Sequence, residues 1–269
     1  MKLFKRVYNI DELNAIRTQY DNPIRKKEIF VFALVPALYV FSLIYSLFYN
    51  WKLALGFSLI GVIYGLAIIM PKMVKRNHYS RSQRERNRFM NSLTQNLVND
   101  NVLTEDGLER VSNRLNGELA RDIKELTTRL KYDTAYEQKE AYEALSDKYK
   151  NDRVFVQFID QLNTATNEGR NNISELDSLA SHHDLVLQKQ KSFYNVKDEK
   201  LLWYCVASGM IIAVAITLAL TTWNLGYRDI FIGTPIGWFI GFSFIIFNLF
   251  YTHKFVGDYF DDEVMEVKN

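Results

Sequence analysis

Val154-Phe155-Val156-Gln157-Phe158-Ile159-Asp160-Gln161-Leu162 opens the stretch, Asp152 to Leu220, whose reading decides the fold. Phe155, Phe158, Ile159 and Leu162 recur at the spacing of one helical face. Asn167-Glu168-Gly169-Arg170-Asn171-Asn172 turns the chain, and Ile173, Leu176, Leu179 and Ala180 resume the same period. From there to Trp203 no residue stops a helix, and Leu201–Thr221 is apolar enough to cross a bilayer. The stretch predicts a polar helical segment joined without a break to a membrane span. Such a joint suits mechanical coupling better than chemistry.

Three more apolar runs lie outside it. Ile29–Tyr49 carries no charge and is close to the ~20 residues that cross roughly 30 Å of hydrocarbon. Leu53–Met70 is shorter, and only Asn50-Trp51-Lys52 separates the two, which predicts a tight helical hairpin. Leu201–Thr221 and Ile230–Tyr251 form a second, joined across Thr222–Asp229, with Trp51, Trp223 and Tyr227 at span ends where aromatic rings favour the interface. Arg25, Lys26 and Lys27 precede the first span. Lys72, Lys75, Arg76, Arg81, Arg84, Arg86 and Arg88 follow the second, and Lys189, Lys191, Lys197 and Lys200 lead into the third. The hairpin tips carry only Lys52 and Arg228, so the positive-inside rule places both termini and residues 72–200 in the cytoplasm of a plasma (inner) membrane protein.

The expected architecture is an all-α membrane protein, two transmembrane helical hairpins flanking a cytoplasmic antiparallel helical bundle. Its segments are 1–24 (N-terminal amphipathic), 25–71 (first hairpin), 72–200 (bundle), 201–251 (second hairpin) and 252–269 (acidic C-terminal tail). In the first segment Asn9 and Glu12 resemble a capping box, and Ile10, Leu13 and Ile16 share a face. Phe4, Val7 and Tyr8 beside Lys2, Lys5 and Arg6 suit a membrane surface, and packing of the segment on the main domain is the equal alternative. In the bundle, Phe89, Leu93 and Leu97 share a face, and Thr104 is an expected cap before Leu108, Val111 and Leu115. Leu119, Ile123, Leu126 and Leu130 keep helical spacing. Thr134 and Glu137 form a capping box before Ala141, Leu145 and Tyr149, and Asp152 is placed to cap the next helix. The helix–turn–helix of Arg88–Val111 is similar in outline to that of Phe155–Leu179.

The composition agrees with a divided molecule. The 269 residues are 48% hydrophobic and 24% charged, and the mean hydropathy of −0.15 averages two segregated chemistries. A formal net charge of +2 is too small to argue for direct nucleic-acid binding. The single cysteine, Cys205, reads as a small packing residue inside an apolar run, and one cysteine supports no intrachain disulfide. Met1-Lys2-Leu3-Phe4-Lys5-Arg6 has no uninterrupted apolar core behind it, so no cleavable secretory signal is expected.

The helix ending at Asn167-Glu168-Gly169, followed by Ile173-Ser174-Glu175-Leu176-Asp177-Ser178-Leu179-Ala180, resembles the type II secretion F-domain family. Arg88-Phe89 to Leu97 with Val102-Leu103 to Leu108 is similar to the family's opening helix pair. The arrangement of two spans, helical domain and two spans resembles the shorter members found in tight-adherence (Tad) pilus systems. Asn99-Asp100-Asn101 lacks the Gly often found at the first turn, and Arg170 follows Gly169 where a small residue is common. The resemblance covers residues 25–250 and marks Glu168 and Gly169 as the family turn. It implies a non-enzymatic platform subunit of a type II secretion or type IV pilus-like machine. Its implied partners are a cytoplasmic secretion ATPase, pilin-like subunits, membrane lipids, and further copies of itself or a paralogue.

Chemistry is scarce. No phosphate loop occurs, and His182-His183 diverge by about 100° on a helix, unlike the i, i+4 pair of a metalloprotease helix. Their pattern reads as a solvated face. No Asp, Glu, Lys or Arg sits in the middle of a span, which argues against an ion-coupled transporter. No catalytic, cofactor-binding or metal-ligating set is expected. Gly61 with Gly65, and Gly233 with Gly237 and Gly241, are small-xxx-small patterns that let helices approach. Pro36 is placed to kink its span, and Pro235 either does the same or opens a helix. Arg81, Arg84, Arg86 and Arg88 suit anionic lipid or an acidic partner, or form an ordinary basic flank. Asp258, Asp261, Asp262, Glu263 and Glu266 read as a solvated tail or a dock for a basic partner. Two other function classes remain compatible: a small-solute or ion channel, and a membrane-anchored scaffold or sensor without a motor.

Overall fold

The computed structural model describes residues 10–100, 103–168, 173–222, 226 and 231–262, and among these every regular element is helical. The order is α1 (Ile10–Arg17), α2 (Lys26–Phe48), α3 (Trp51–Tyr64), a π segment (Gly65–Ile69), α4 (Met70–Asp100), α5 (Thr104–Ser112) and α6 (Gly117–Tyr132). It continues with α7 (Ala135–Lys148), α8 (Arg153–Glu168), α9 (Ile173–Thr222) and α10 (Pro235–Tyr259). Four helical runs, Lys26–Phe48, Trp51–Val98, Ile173–Thr222 and Pro235–Tyr259, contain stretches long and apolar enough to cross a membrane. The chain divides into two compact units.

One unit comprises Met1–Asn14, Pro23–Arg76 and Tyr194–Asn269. Its apolar side chains face outward in long rows. Phe30, Val31, Leu34, Val35 and Leu38 on α2 are exposed, as are Leu55, Leu59, Ile60 and Ile63 on α3, and Phe239, Ile246, Phe247 and Phe250 on α10. Rows of that size in water would be costly, and they suit a hydrocarbon surround. Between α2 and α3 the chain reverses in two residues. Tyr49 adopts φ 49°, and the Asn50 side chain accepts from the amides of Lys52 and Leu53, both at 3.2 Å. The reversal brings Gly61 against Pro36 and Ala37, where an added Cβ would lie 2.6 Å from the Pro36 carbonyl oxygen. Gly65 meets Phe32 more closely still. Both glycines therefore serve as helix contacts.

Gly241 receives the ring of Phe48, which stacks on Trp238 at 4.7 Å between centroids. Gly237 is also buried, but its close neighbour is the Phe231 backbone just before α10. Gly233 is exposed in the bend ahead of α10, outside that helix. Pro235 is in the first turn of α10, with Thr234 as the cap, so it opens that helix rather than kinking it. Pro36 lies inside α2. Pro71 lies inside a helix too. The π segment directly before it shifts the hydrogen-bond register, with the Met70 amide donating to the Gly65 carbonyl, and so absorbs a residue that lacks an N–H. α3, the π segment and α4 thus run end to end, where the sequence suggested a boundary near Pro71. In α1, Leu13 is buried with Ile24, Met70 and Val74, so this helix packs on the protein, while Phe4, Val7 and Tyr8 lie outside the described residues.

The other unit comprises Ala15–Asn22 and Asn77–Phe193. Its apolar core gathers Phe89, Met90, Leu93 and Leu97 of α4, Leu108 and Val111 of α5, and Leu119, Ile123, Leu126 and Leu130 of α6. Ala141, Tyr142 and Leu145 of α7, Phe155, Phe158, Ile159 and Leu162 of α8, and Leu176 and Ala180 of α9 complete it. Phe89 meets Phe155 and Phe158 edge-on at 6.0 Å each. Thr134 and Glu137 make the expected capping box, with the Thr134 amide donating to Glu137 Oε2 at 2.9 Å. Thr104 does not cap: it is the first helical residue of α5, and the cap position belongs to Leu103. Gly117 opens α6 at φ 75°, where residues Gln19 and Tyr20 press on it and leave no room for a side chain.

Candidate functional site: buried polar clamps on α4 and α9

Asp152 does more than cap α8. Its Oδ1 accepts from the Phe155 amide at 3.1 Å, as an N-cap should. Its Oδ2 accepts from Arg86 Nε at 2.7 Å and lies 3.0 Å from His183 Nε2. One carboxylate therefore joins α4, the start of α8, and α9. Arg86 also donates to Ser82 Oγ at 2.7 Å, and its guanidinium lies 5.4 Å from the Tyr149 ring and 5.9 Å from that of Phe155. On the far side of the imidazole, His183 Nδ1 is 2.9 Å from Asn87 Oδ1. The Asn87 amide nitrogen donates to Asp184 Oδ1 at 3.2 Å, which fixes the amide with its oxygen toward the ring.

These groups lie inside the protein. Arg86 is 4% exposed and His183 1%. Burial pushes the Asp152 carboxyl upward, but the hydrogen bond from His183 and the charge of Arg86 more than offset it, leaving the group lowered to about 2. Chemically the arrangement is a clamp. Both ring nitrogens of His183 face acceptor oxygens, and Ser82 is bonded to the guanidinium, so no hydroxyl is set beside a free imidazole nitrogen. A more exposed cluster lies nearby: Tyr149 donates from its hydroxyl to Asp122 Oδ2 at 2.7 Å, and Lys148 bonds the same carboxylate at 2.7 Å.

The other unit holds its own clamp at the start of α4, the middle of α9 and the end of α10. The Arg76 guanidinium sits 4.3 Å from the Tyr194 ring and 4.7 Å from that of Tyr259, and pairs with Asp262 at 3.5 Å. Lys197, 8% exposed, donates to Asp262 Oδ1 at 2.8 Å and to the Asp261 carbonyl. Tyr259 donates to Asp198 at 2.8 Å. Within the apolar helices, Tyr39 donates to Asn248, and Tyr204 bonds Thr252 at 2.6 Å.

Several sequence expectations change here. Arg86 is no lipid or partner contact, because it is buried against Asp152. Arg81 pairs with Asp21 at 2.8 Å, while Arg84 and Arg88 remain exposed. His182 is on the solvated face as expected, but His183 is turned inward. Its burial was legible in one signal, since Leu176, Ala180 and His183 continue a single stripe at helical spacing. In the acidic tail, Asp262 docks on the chain's own Arg76 and Lys197, whereas Asp261 is exposed and offers Lys197 its carbonyl; Glu263 and Glu266 lie outside the described residues. Cys205 is exposed rather than packed. Glu168 ends α8, but its side chain and Gly169 lie outside the described residues. No metal-ligating cluster occurs among the described residues.

Fold and clamps define an all-helical protein with four helical runs apolar enough to span a membrane. The chain is 32% identical over 264 residues to pXO2-23 of Bacillus anthracis, an uncharacterized protein, covering 98% of this chain and 95% of that one. It belongs to the family of that protein. No family model matches the sequence, and no solved structure matches the fold.

Proposed function

We propose that this protein is a non-enzymatic platform subunit of a type II secretion or type IV pilus-like (Tad-like) assembly machine in the bacterial plasma membrane. Two transmembrane hairpins, α2 with α3 and α9 with α10, flank a cytoplasmic antiparallel bundle, with both termini and residues 72–200 in the cytoplasm. A secretion ATPase engages the bundle, and pilin-like subunits engage the membrane part. The platform is an oligomer of this chain or of this chain with a paralogue, in contact with membrane lipids.

α9 carries this reading. It is one helix of 50 residues, core-packing through Leu176 and Ala180 at one end and studded with outward apolar side chains at the other. A helix that long, without Pro, transmits displacement along its axis instead of absorbing it in a loop. Clamps at His183 and Lys197 hold it in each unit, which supports a lever role.

The test is a proline at Lys191 (K191P), between the two clamps. The variant is expected to insert in the membrane and co-purify with the secretion ATPase, yet fail to assemble the apparatus. Normal assembly by the variant defeats the lever, and failure of the unsubstituted protein to co-purify with any secretion ATPase defeats the platform itself.

A further inference from the structure

Two cavities in the membrane-type unit share Ala207 and Ile211, so they form one groove along α9. The first, about 430 Å³, is lined at one end by Lys200, Trp203 and Tyr251, and reaches Ser208 and Asn248. The second, about 650 Å³, is walled by Met210, Val214, Ile240 and Phe244 with Leu47 of α2, and no charged residue lines it. Both volumes fall in the range of ligand sites. The groove is therefore graded: cation and amphipathic aromatic rings at one end, hydrocarbon beyond.

We propose that this groove binds one anionic phospholipid. The phosphate is placed at Lys200, the glycerol region lies against the rings of Trp203 and Tyr251, and an acyl chain runs along Ile211 and Val214 toward Phe244. The dimensions fit. Half of a ~30 Å hydrocarbon layer corresponds to about ten residues of helix, roughly Tyr204 to Val214. Aromatic rings of this kind settle at headgroup level, which sets the depth of the lysine beside them. Charge decides the occupant: a lipid phosphate brings an anion to Lys200 at that depth, whereas a partner span buried in hydrocarbon brings none. The proposal goes beyond the secretion reading, and its failure leaves that reading intact.

Trp203, 63% exposed, is a built-in reporter. The full-length chain with Trp51, Trp223 and Trp238 replaced by Phe is reconstituted in phosphatidylcholine vesicles containing either brominated phosphatidylglycerol or brominated phosphatidylcholine at equal bromine content. Quenching of Trp203 is expected to favour the anionic lipid by about five-fold in apparent affinity, the effect of one lysine near an anionic headgroup. The preference is lost in Lys200→Ala and kept in Lys200→Arg. Equal quenching by both lipids means an unselective annulus and overturns the proposal, as does no quenching by either, the result if a second copy covers the groove. Because Trp238 packs on Phe48, native mass spectrometry of the unsubstituted protein from the same lipid mixture, without bromine, provides an independent reading. One retained phosphatidylglycerol supports the site, and none overturns it.

Discussion

His183 Nε2 lies 3.0 Å from Asp152 Oδ2, across 31 residues of chain. The pair joins α9 to the N-terminus of α8, the helix that brings Phe155 and Phe158 to the core. Its consequences reach stability and pH dependence.

Low pH should loosen the unit that holds Asp152. The carboxyl sits at about 2 in the fold against 3.8 in its ordinary state, so the unfolded chain takes up a proton more readily. Its contribution is fully present above about pH 4 and is lost as pH falls through about 2. A carboxyl held that far below its ordinary range stabilises the fold by about 2 kcal/mol. Denaturant unfolding of the wild type and Asp152→Asn across that window checks this: the wild type should lose stability more steeply, and parallel curves would remove Asp152 as the cause.

Breaking the ion pair from the cationic side should cost more than any neighbouring arginine. Arg86→Ala leaves Asp152 buried without its principal cation, a loss of about 3–5 kcal/mol. Arg84→Ala and Arg88→Ala remove exposed side chains and should stay within about 0.5 kcal/mol. Thermal unfolding in detergent separates the three; equal effects would mean that Arg86 is not clamped as described.

The glycines of the first membrane-type pair should differ sharply from their neighbour. A Cβ at Gly61 or Gly65 meets the α2 backbone, whereas at Gly56 nothing lies within 4 Å. Gly61→Ala and Gly65→Ala should destabilise by about 1–3 kcal/mol through overpacking. Gly56→Ala should be neutral or mildly stabilising, because alanine is the better helix former. Resistance to denaturing detergent orders the variants.

Releasing Asp262 should expose the segment that follows α10 to protease. Asp262→Asn removes the anion shared by Arg76 and Lys197. Cleavage after α10 should accelerate by several-fold, with the apolar helices unaffected. Unchanged digestion would show that the aromatic contacts of Tyr259 and Phe260 hold the segment without the ion pairs.

Residue pattern alone was enough to read most of the helical faces. Periodic Phe155, Phe158, Ile159 and Leu162 predicted the core face of α8, and all four are fully buried. Local chemistry was equally legible: the Thr134–Glu137 box and the cap at Asp152 depend on residues three apart, which a helix necessarily brings together. The long apolar runs were legible because composition alone sets whether a helix suits hydrocarbon.

Which polar residues turn inward, and whom they meet, depends on how the helices pack. Arg86 and His183 look like their solvated neighbours Arg84 and His182, and a difference of about 100° per residue on a helix separates burial from exposure. Asp152 meets them because three helices converge, a fact of packing that no local spacing encodes. Pro71 likewise reads as a boundary in one dimension, and is carried inside a helix only because a π turn shifts the hydrogen bonds before it.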